Sequence, residues 1–355
     1  MIVVFSMDSL NFLPSLDNLG GILGNDPGRA TARIIESSLL TPLKEFSNRP
    51  SKKFRQRLVF LASQLAIPDS EQINSAQDGK REIEIQCEFG AQIVEAIHSA
   101  SLIIDDIEDG SLTRREQPTL HVQYGLPQAL NAGNWLYFWP LKQIGALKLE
   151  KEKELALLKD TIDTMVNAHF GQSIDIGTRV DEIPQGSVEE VCLSSVSLKT
   201  GALMSLAMRM GGYIGGASFE RIESLAQLGK TLGVLLQVFD DVGNFSSTSM
   251  TPKGEGSKKY EDLYLRRPSW IWSYAASALG HEEYSQFIHV VTQLPEEGPL
   301  LSWLDKSLFV TQLKKEANQK LSNWITQIQN VFGSENPKSV MKFEQLAHEL
   351  SRSYS

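Results

Sequence analysis

The chain's pattern predicts an all-α fold, a single helical bundle around a central cavity. Three observations carry that expectation. Apolar residues recur at helical spacing in most segments from about Arg29 onward. Strand signals are scarce. No internal repeat, coiled-coil heptad or shift in composition marks a boundary. Length alone would suggest two domains, but the pattern reads as an irregular lead-in over residues 1–27, closing in Gly24-Asn25-Asp26-Pro27, and one domain over 28–355.

Element by element, helical periodicity covers 29–47, 51–66, 79–108, 117–144, 150–177, 187–214, 217–245, 258–278, 281–293, 299–332 and 336–352. Pro118, Pro127, Pro184 and Pro268 fall near segment starts, where a missing N–H costs nothing. With 41% hydrophobic residues a chain of this length buries a large core, and a net charge of −9 with no basic block argues against nucleic acid as a partner. The two cysteines, Cys87 and Cys192, have no metal-ligand spacing and read as reduced, buried thiols. The opening MIVVFS lacks a basic flank and a cleavage-like sequence, so it does not read as a signal peptide. No run reaches the roughly 18 to 20 apolar residues of a membrane span. A cytoplasmic protein without stable membrane insertion is expected.

Two acidic clusters end apolar helical runs far apart in the chain. Asp105-Asp106-Ile107-Glu108-Asp109 follows SASLII, and Asp240-Asp241-Val242-Gly243-Asn244 follows LLQVF. Carboxylates at the ends of buried segments cost free energy unless something cationic or hydrogen-bonding satisfies them. Asp105 and Asp109 lie one helical turn apart on one face, as do Asp240 and Asn244. Two such walls facing each other would form an all-oxygen cage for Mg²⁺, which keeps waters and shares its shell with phosphates. That pattern points to diphosphate chemistry.

Cationic residues support it. His98 precedes Asp105 by two turns on the same face, and Arg114-Arg115 follow the first cluster after a short turn. Paired arginines are commonly surface ion pairs; beside a metal site, their rigid forks suit phosphate oxygens. Lys52 and Arg55 open a helix after Pro50-Ser51, a weak anion seat when taken alone. Lys199-Thr200-Gly201 interrupts an apolar stretch, so the lysine either snorkels or meets an anion. Gln237 precedes Asp240 by three residues on one face, and Gln172 with Asp175 reads as a buried polar pair. Ser246 to Lys259, rich in Ser, Thr, Gly and Lys, is either a surface loop or a lid whose Lys253, Lys258 or Lys259 closes over bound diphosphate.

Taken together, PSKKFR, IHSASLIIDDIEDGSLTRREQP, FGQSIDI, LKTG, QVFDDVGNF and KYEDLYLRRPSW resemble the trans-isoprenyl diphosphate synthases, and most of all the eukaryotic-type geranylgeranyl diphosphate synthases. The resemblance runs from about Glu36 to Ala276 and includes the DDxxN form of the second cluster. It implies the isoprenoid synthase-type bundle, a Mg²⁺ requirement, a homodimer, and head-to-tail condensation of isopentenyl diphosphate with an allylic diphosphate. Carried over position by position, it implies an isopentenyl diphosphate site of Lys52, Arg55, His98 and Arg115. Arg114, Lys199, Thr200 and Gln237 match groups around the allylic diphosphate. Asp105, Asp109 and Asp240 match metal ligands, supported by Asp106 and Asp241. The second cluster's Asn244, with Lys258 and Arg267, completes the substrate-binding set. Three departures stand out: Arg266-Arg267 replace a Gly-Lys step, Lys258 aligns only with one deletion, and Glu116 stands where a glycine is expected.

The small residues Ala100 and Ser101 lie below the first cluster, with Ile97 the first bulky residue on that face. An open pocket there implies a product longer than farnesyl, geranylgeranyl diphosphate first; the alternative is that the small residues permit close helix packing. Rival readings are a class I terpene cyclase on the same fold, or a non-catalytic regulatory subunit of a prenyl synthase. The isopentenyl diphosphate set argues against the first and both intact acidic clusters against the second.

Overall fold

The computed structural model describes residues 12–50, 53–74, 77–115, 117–246 and 260–353. Lys52, Glu116, Lys253, Lys258 and Lys259 therefore lie outside the described residues. The described chain is overwhelmingly helical, as the periodicity predicted. It groups into two compact units: one takes in described residues of 1–60 and 76–159, the other those of 61–75 and 160–355.

In the first unit the central element is the helix Gln77–Glu108, which carries the first acidic cluster at its C-terminal end. Its partner is Leu126–Gln143. Gly133 sets their spacing, because a Cβ there would meet the Ile104 side chain at 2.8 Å. Leu43, Leu58, Ile93, Ile97 and Ala100 fill the core beneath. The stretch expected as one helix over 117–144 is broken. Thr113–Arg114 and Gln117–Pro118 form a two-residue antiparallel ladder, Leu120–Tyr124 forms one helical turn, and Gly125 at φ 87° turns the chain before the next helix starts. The lead-in is not irregular throughout. Leu16–Asn18 and Leu19–Leu23 are helical, Phe12 and Leu13 are buried, and the Trp139 indole donates to the Phe12 carbonyl at 3.0 Å.

In the second unit the stretch expected over 187–214 is Gln185–Val196 and Ala202–Ile214, joined by a π-helical turn at Ser197–Gly201. Such turns frequently mark functional positions. Two glycines make room for it. A Cβ on Gly171 would stand 2.8 Å from the Lys199 backbone nitrogen, and one on Gly233 would stand 2.7 Å from the Gly201 Cα. Gly171 belongs to Lys151–Gly177, and Gly233 to Phe219–Ser246, the helix bearing the second acidic cluster.

The stretch over 258–278 is likewise split, into Glu261–Tyr264 and Trp270–Ala278, because Arg266 adopts a left-handed φ of 58° and Pro268 follows. The stretch over 299–332 divides into Glu297–Lys306 and Phe309–Phe332. The short helix Asp69–Asn74 had no counterpart in the periodicity reading. The C-terminal helices are fastened through Arg221 and the fully buried Asn336. Arg221 donates to the Leu65 carbonyl at 2.6 Å, Asn336 to the Ile67 carbonyl at 2.6 Å, and the two bond to each other. One correction concerns membrane spans. The run Gln185–Ile214 is long and apolar enough by composition to cross a bilayer, but half of its most apolar window is buried within the protein, as in a core helix.

Replacing Gly233 with alanine forces a Cβ into the Thr200–Gly201 backbone. Overpacking of this kind costs about 1–3 kcal/mol, so Gly233→Ala should lower the denaturant midpoint accordingly. An unchanged midpoint would mean that the π turn is not held by this close approach.

Candidate active site

The first unit holds the first acidic cluster and the cations read with it. Asp106, 1% exposed, accepts a hydrogen bond from Arg114 Nε at 2.6 Å, and the same guanidinium lies 3.4 Å from Asp105. Arg114 is thus not a surface ion pair: its side chain is 15% exposed and spans both aspartates. The two-residue ladder returns Arg114 to the cluster. Its base is fixed by the buried Thr119, whose hydroxyl donates to the Ser111 carbonyl at 2.8 Å. Arg115 follows in a left-handed conformation, φ 55°.

His98 is partly buried, and its Nδ1, shut off from solvent, has no hydrogen-bond partner. Burial and the charges of Arg55, Arg115 and Arg114 push its pKa well below the ordinary value, so the imidazole is neutral near pH 7. Arg115 is itself depressed by burial, with Glu95 opposing and Arg114 and Arg49 adding to the effect. The structure therefore brings Arg55, His98 and Arg115 within electrostatic reach of one another, and Arg114, read from the sequence with the other diphosphate, lies beside them. The result is a partly buried cluster of cations around a neutral ring.

Below the cluster, Ala100 is fully buried, so its small side chain serves close packing there. Ser101 is only partly buried, with its hydroxyl turned back to the His98 carbonyl at 2.7 Å. A residue missed by sequence reading is Tyr137, a buried phenol raised by burial and by the charges of Glu108 and Asp105. Within an apolar helical run, a tyrosine carries no mark of such neighbours.

The second unit holds the other cluster. Lys199 does not snorkel; its Nζ meets Asp175 at 2.6 Å, one turn beyond the glycine that lets the π turn approach. Thr200 donates to Gln237 at 3.3 Å, and Gln237 donates to Asp241 at 2.7 Å. Asp241, 3% exposed, uses its other oxygen to accept the Trp270 backbone N–H at 2.6 Å. It thereby anchors the free N-terminal end of Trp270–Ala278. Asp240 accepts from Asn244 at 3.4 Å. In both clusters the second aspartate is buried and committed to the scaffold, while the first remains partly exposed.

Asp262 was also missed, although it lies within the KYEDLYL motif. Burial, then the charges of Asp175, Glu261 and Asp240, raise its carboxyl to about 7, with Lys199 opposing. Arg267 follows in the same turn, its N–H donating to the Asp262 carbonyl at 2.9 Å. Arg266 instead pairs with Asp181 at 3.0 Å.

Among the described residues, no group of three His, Cys, Asp or Glu side chains forms a ready-made metal cage. Mg²⁺ does not require one, since it is commonly held by one or two carboxylates together with waters and substrate phosphates. The mutual repulsion of Asp175, Asp240 and Asp262 marks an excess of carboxylate that fits a hard divalent cation.

The polyprenyl synthetase family model matches residues 36–298. The chain is 31% identical over 206 residues to a copalyl diphosphate synthase of Talaromyces verruculosus, covering 58% of this chain but 20% of that protein. It is 30% identical over 253 residues to the geranylgeranyl pyrophosphate synthase dpmaD of Metarhizium anisopliae, covering 68% and 69% of the two chains. A probable mitochondrial hexaprenyl pyrophosphate synthase of Yarrowia lipolytica is 34% identical over 156 residues, 44% of this chain and 34% of its own. The chain thus spans from a fifth to about two thirds of these relatives. Among solved structures, a geranylgeranyl pyrophosphate synthetase of Pyrococcus horikoshii superposes with a TM-score of 0.69 over 95% of this chain and 94% of its own. At 20% identity that likeness establishes the all-α isoprenoid synthase-type fold alone. With three quarters of its length matched by the family model, the chain belongs to the polyprenyl synthetase family.

Proposed function

We propose that this protein condenses isopentenyl diphosphate with an allylic diphosphate, head to tail, to give a linear trans-prenyl diphosphate of geranylgeranyl length. One observation carries the reading: a cluster of Arg55 and Arg115 around neutral His98, beside an arginine already committed to Asp105 and Asp106. An enzyme that only ionised and cyclised an allylic diphosphate would have no use for a second anion seat. The geranylgeranyl pyrophosphate synthase relative supports the product class, whereas the hexaprenyl relative argues for measuring length directly.

In this reading Arg55, His98 and Arg115, with Lys52, hold isopentenyl diphosphate. The neutral imidazole offers a hydrogen bond without adding charge. Lys199, oriented by Asp175, and Thr200, oriented through Gln237, face the allylic diphosphate and stabilise charge as it leaves. Arg114, Asn244, Arg267 and Lys258 complete its binding. Mg²⁺ held by Asp105, Asp109 and Asp240 would supply the neutralisation that lets the carbon–oxygen bond break. Asp106 and Asp241 act by fixing Arg114, Gln237 and the start of Trp270–Ala278. The isopentenyl double bond then attacks the allylic carbon, and the proton lost afterwards passes to the departing diphosphate. A cytoplasmic homodimer is the setting this reading expects. Leu126, Leu130 and Phe138, exposed along one helix, supply an apolar face for a second copy.

Incubation with Mg²⁺, isopentenyl diphosphate and each allylic starter should yield a longer linear diphosphate by mass. A hydrocarbon formed from the allylic substrate alone would favour the cyclase. Asp105→Ala and Asp240→Ala should each cut turnover by on the order of a hundredfold or more with little change in melting temperature. Near-wild-type turnover in either would remove that residue from the metal set. Ser101→Phe should shift the product toward a shorter chain; an unmoved product profile would place the length-setting wall elsewhere.

A further inference from the structure

Arg49 is an anomalous charge in the first unit. Its side chain is 1% exposed, yet its ion pair among the described residues, to Glu45, spans 3.3 Å. Two of its donors, Nε and Nη1, are buried without a hydrogen-bond partner. Buried guanidinium donors are ordinarily filled, because leaving them unmade costs free energy. Nor is Glu45 devoted to Arg49: its other oxygen accepts Gln123 at 2.8 Å and the Tyr124 hydroxyl. The Phe46 ring beneath, 5.2 Å from the guanidinium carbon, offers only a weak cation–π contact. The charge is therefore under-compensated. It also lies close enough to Arg115 to act on it, pushing that guanidinium in the same direction as Arg114 does.

We propose that Arg49 is a positioning residue of the isopentenyl diphosphate seat, a buried positive charge behind Arg115 whose compensation is completed by the bound diphosphate. The inference rests on reading Arg55, His98 and Arg115 as that seat. Arg114 is held by Asp105 and Asp106, so the positive charges left bearing on one another are Arg49 and Arg115, with Glu95 opposing at Arg115. An incoming diphosphate relieves the repulsion among them, and the benefit is confined to the substrate bound there. Through Glu45, Arg49 also ties the Leu120–Tyr124 turn, which follows the ladder carrying Arg115, to its own helix end.

Steady-state kinetics on the wild-type protein, Arg49→Met and Arg49→Lys test the proposal. Losing one charge-assisted contribution corresponds to about a tenfold rise in the KM for isopentenyl diphosphate. In Arg49→Met the KM for the allylic substrate and kcat should stay within about twofold of wild type, and Arg49→Lys should recover part of the loss. A purely structural role would instead lower the melting temperature and raise both KM values together, which would overturn the proposal. So would an unchanged isopentenyl diphosphate KM in folded Arg49→Met. Should Arg49→Met not fold, Arg49→Lys alone decides, an isopentenyl diphosphate KM equal to wild type counting against the role. If the wild-type protein condenses no isopentenyl diphosphate with any allylic starter, the underlying function fails and this inference with it. Wild-type turnover with a silent Arg49→Met sinks only the inference.

Discussion

Charge compensation at the ends of buried helices governs this protein. Each acidic cluster closes a helix whose preceding turns are packed in core, so its carboxylates cannot all rely on water. The chain resolves this in the same way twice. Asp106 turns inward to Arg114, and Asp241 turns inward to Gln237 and the Trp270 N–H. Asp105 and Asp240 are left partly exposed. A buried carboxylate bonded into the scaffold is a poor ligand and a good strut; a partly exposed neighbour is the reverse. The doubled aspartate thus separates a buried scaffold carboxylate from a partly exposed one within a single dipeptide.

Backbone geometry then delivers the cations. A π turn at Ser197–Gly201 and glycines at 171 and 233 bring Lys199 onto Asp175 and Thr200 onto Gln237. In the other unit a two-residue ladder carries Arg114 back over the cluster it follows, and Arg115 takes the left-handed turn beside it. Both devices place a cation within hydrogen-bond reach of a carboxylate before any substrate is present. Such preorganisation is what electrostatic stabilisation of a leaving group requires.

Much of this was legible in the sequence, for identifiable reasons. Helical periodicity survives wherever one face packs and the other meets water, so the all-α class and most helices could be read directly. The breaks could not. Arg266 gives no sign that it adopts φ 58°, and the joint at Ser197–Gly201 keeps helical periodicity while changing its hydrogen bonds. Asp105, Asp109, Asp240 and the arginines stood out because polar clusters in apolar surroundings are conspicuous. Asp262, Tyr137 and Arg49 did not, since their significance lies in neighbours distant along the chain. The same limit hid Asp241's bond to Trp270, which sequence spacing cannot express.

In the function proposed above, both acidic helix ends act, through magnesium, on one allylic diphosphate. Binding of an unreactive allylic thiolodiphosphate, followed by calorimetry with and without Mg²⁺, tests that most directly because no turnover is involved. Wild-type protein should bind it only with the metal present, and Asp105→Asn and Asp240→Asn should each weaken that binding by on the order of a hundredfold. Metal-dependent binding that survives intact in either variant would show that one cluster suffices, and would contradict the account.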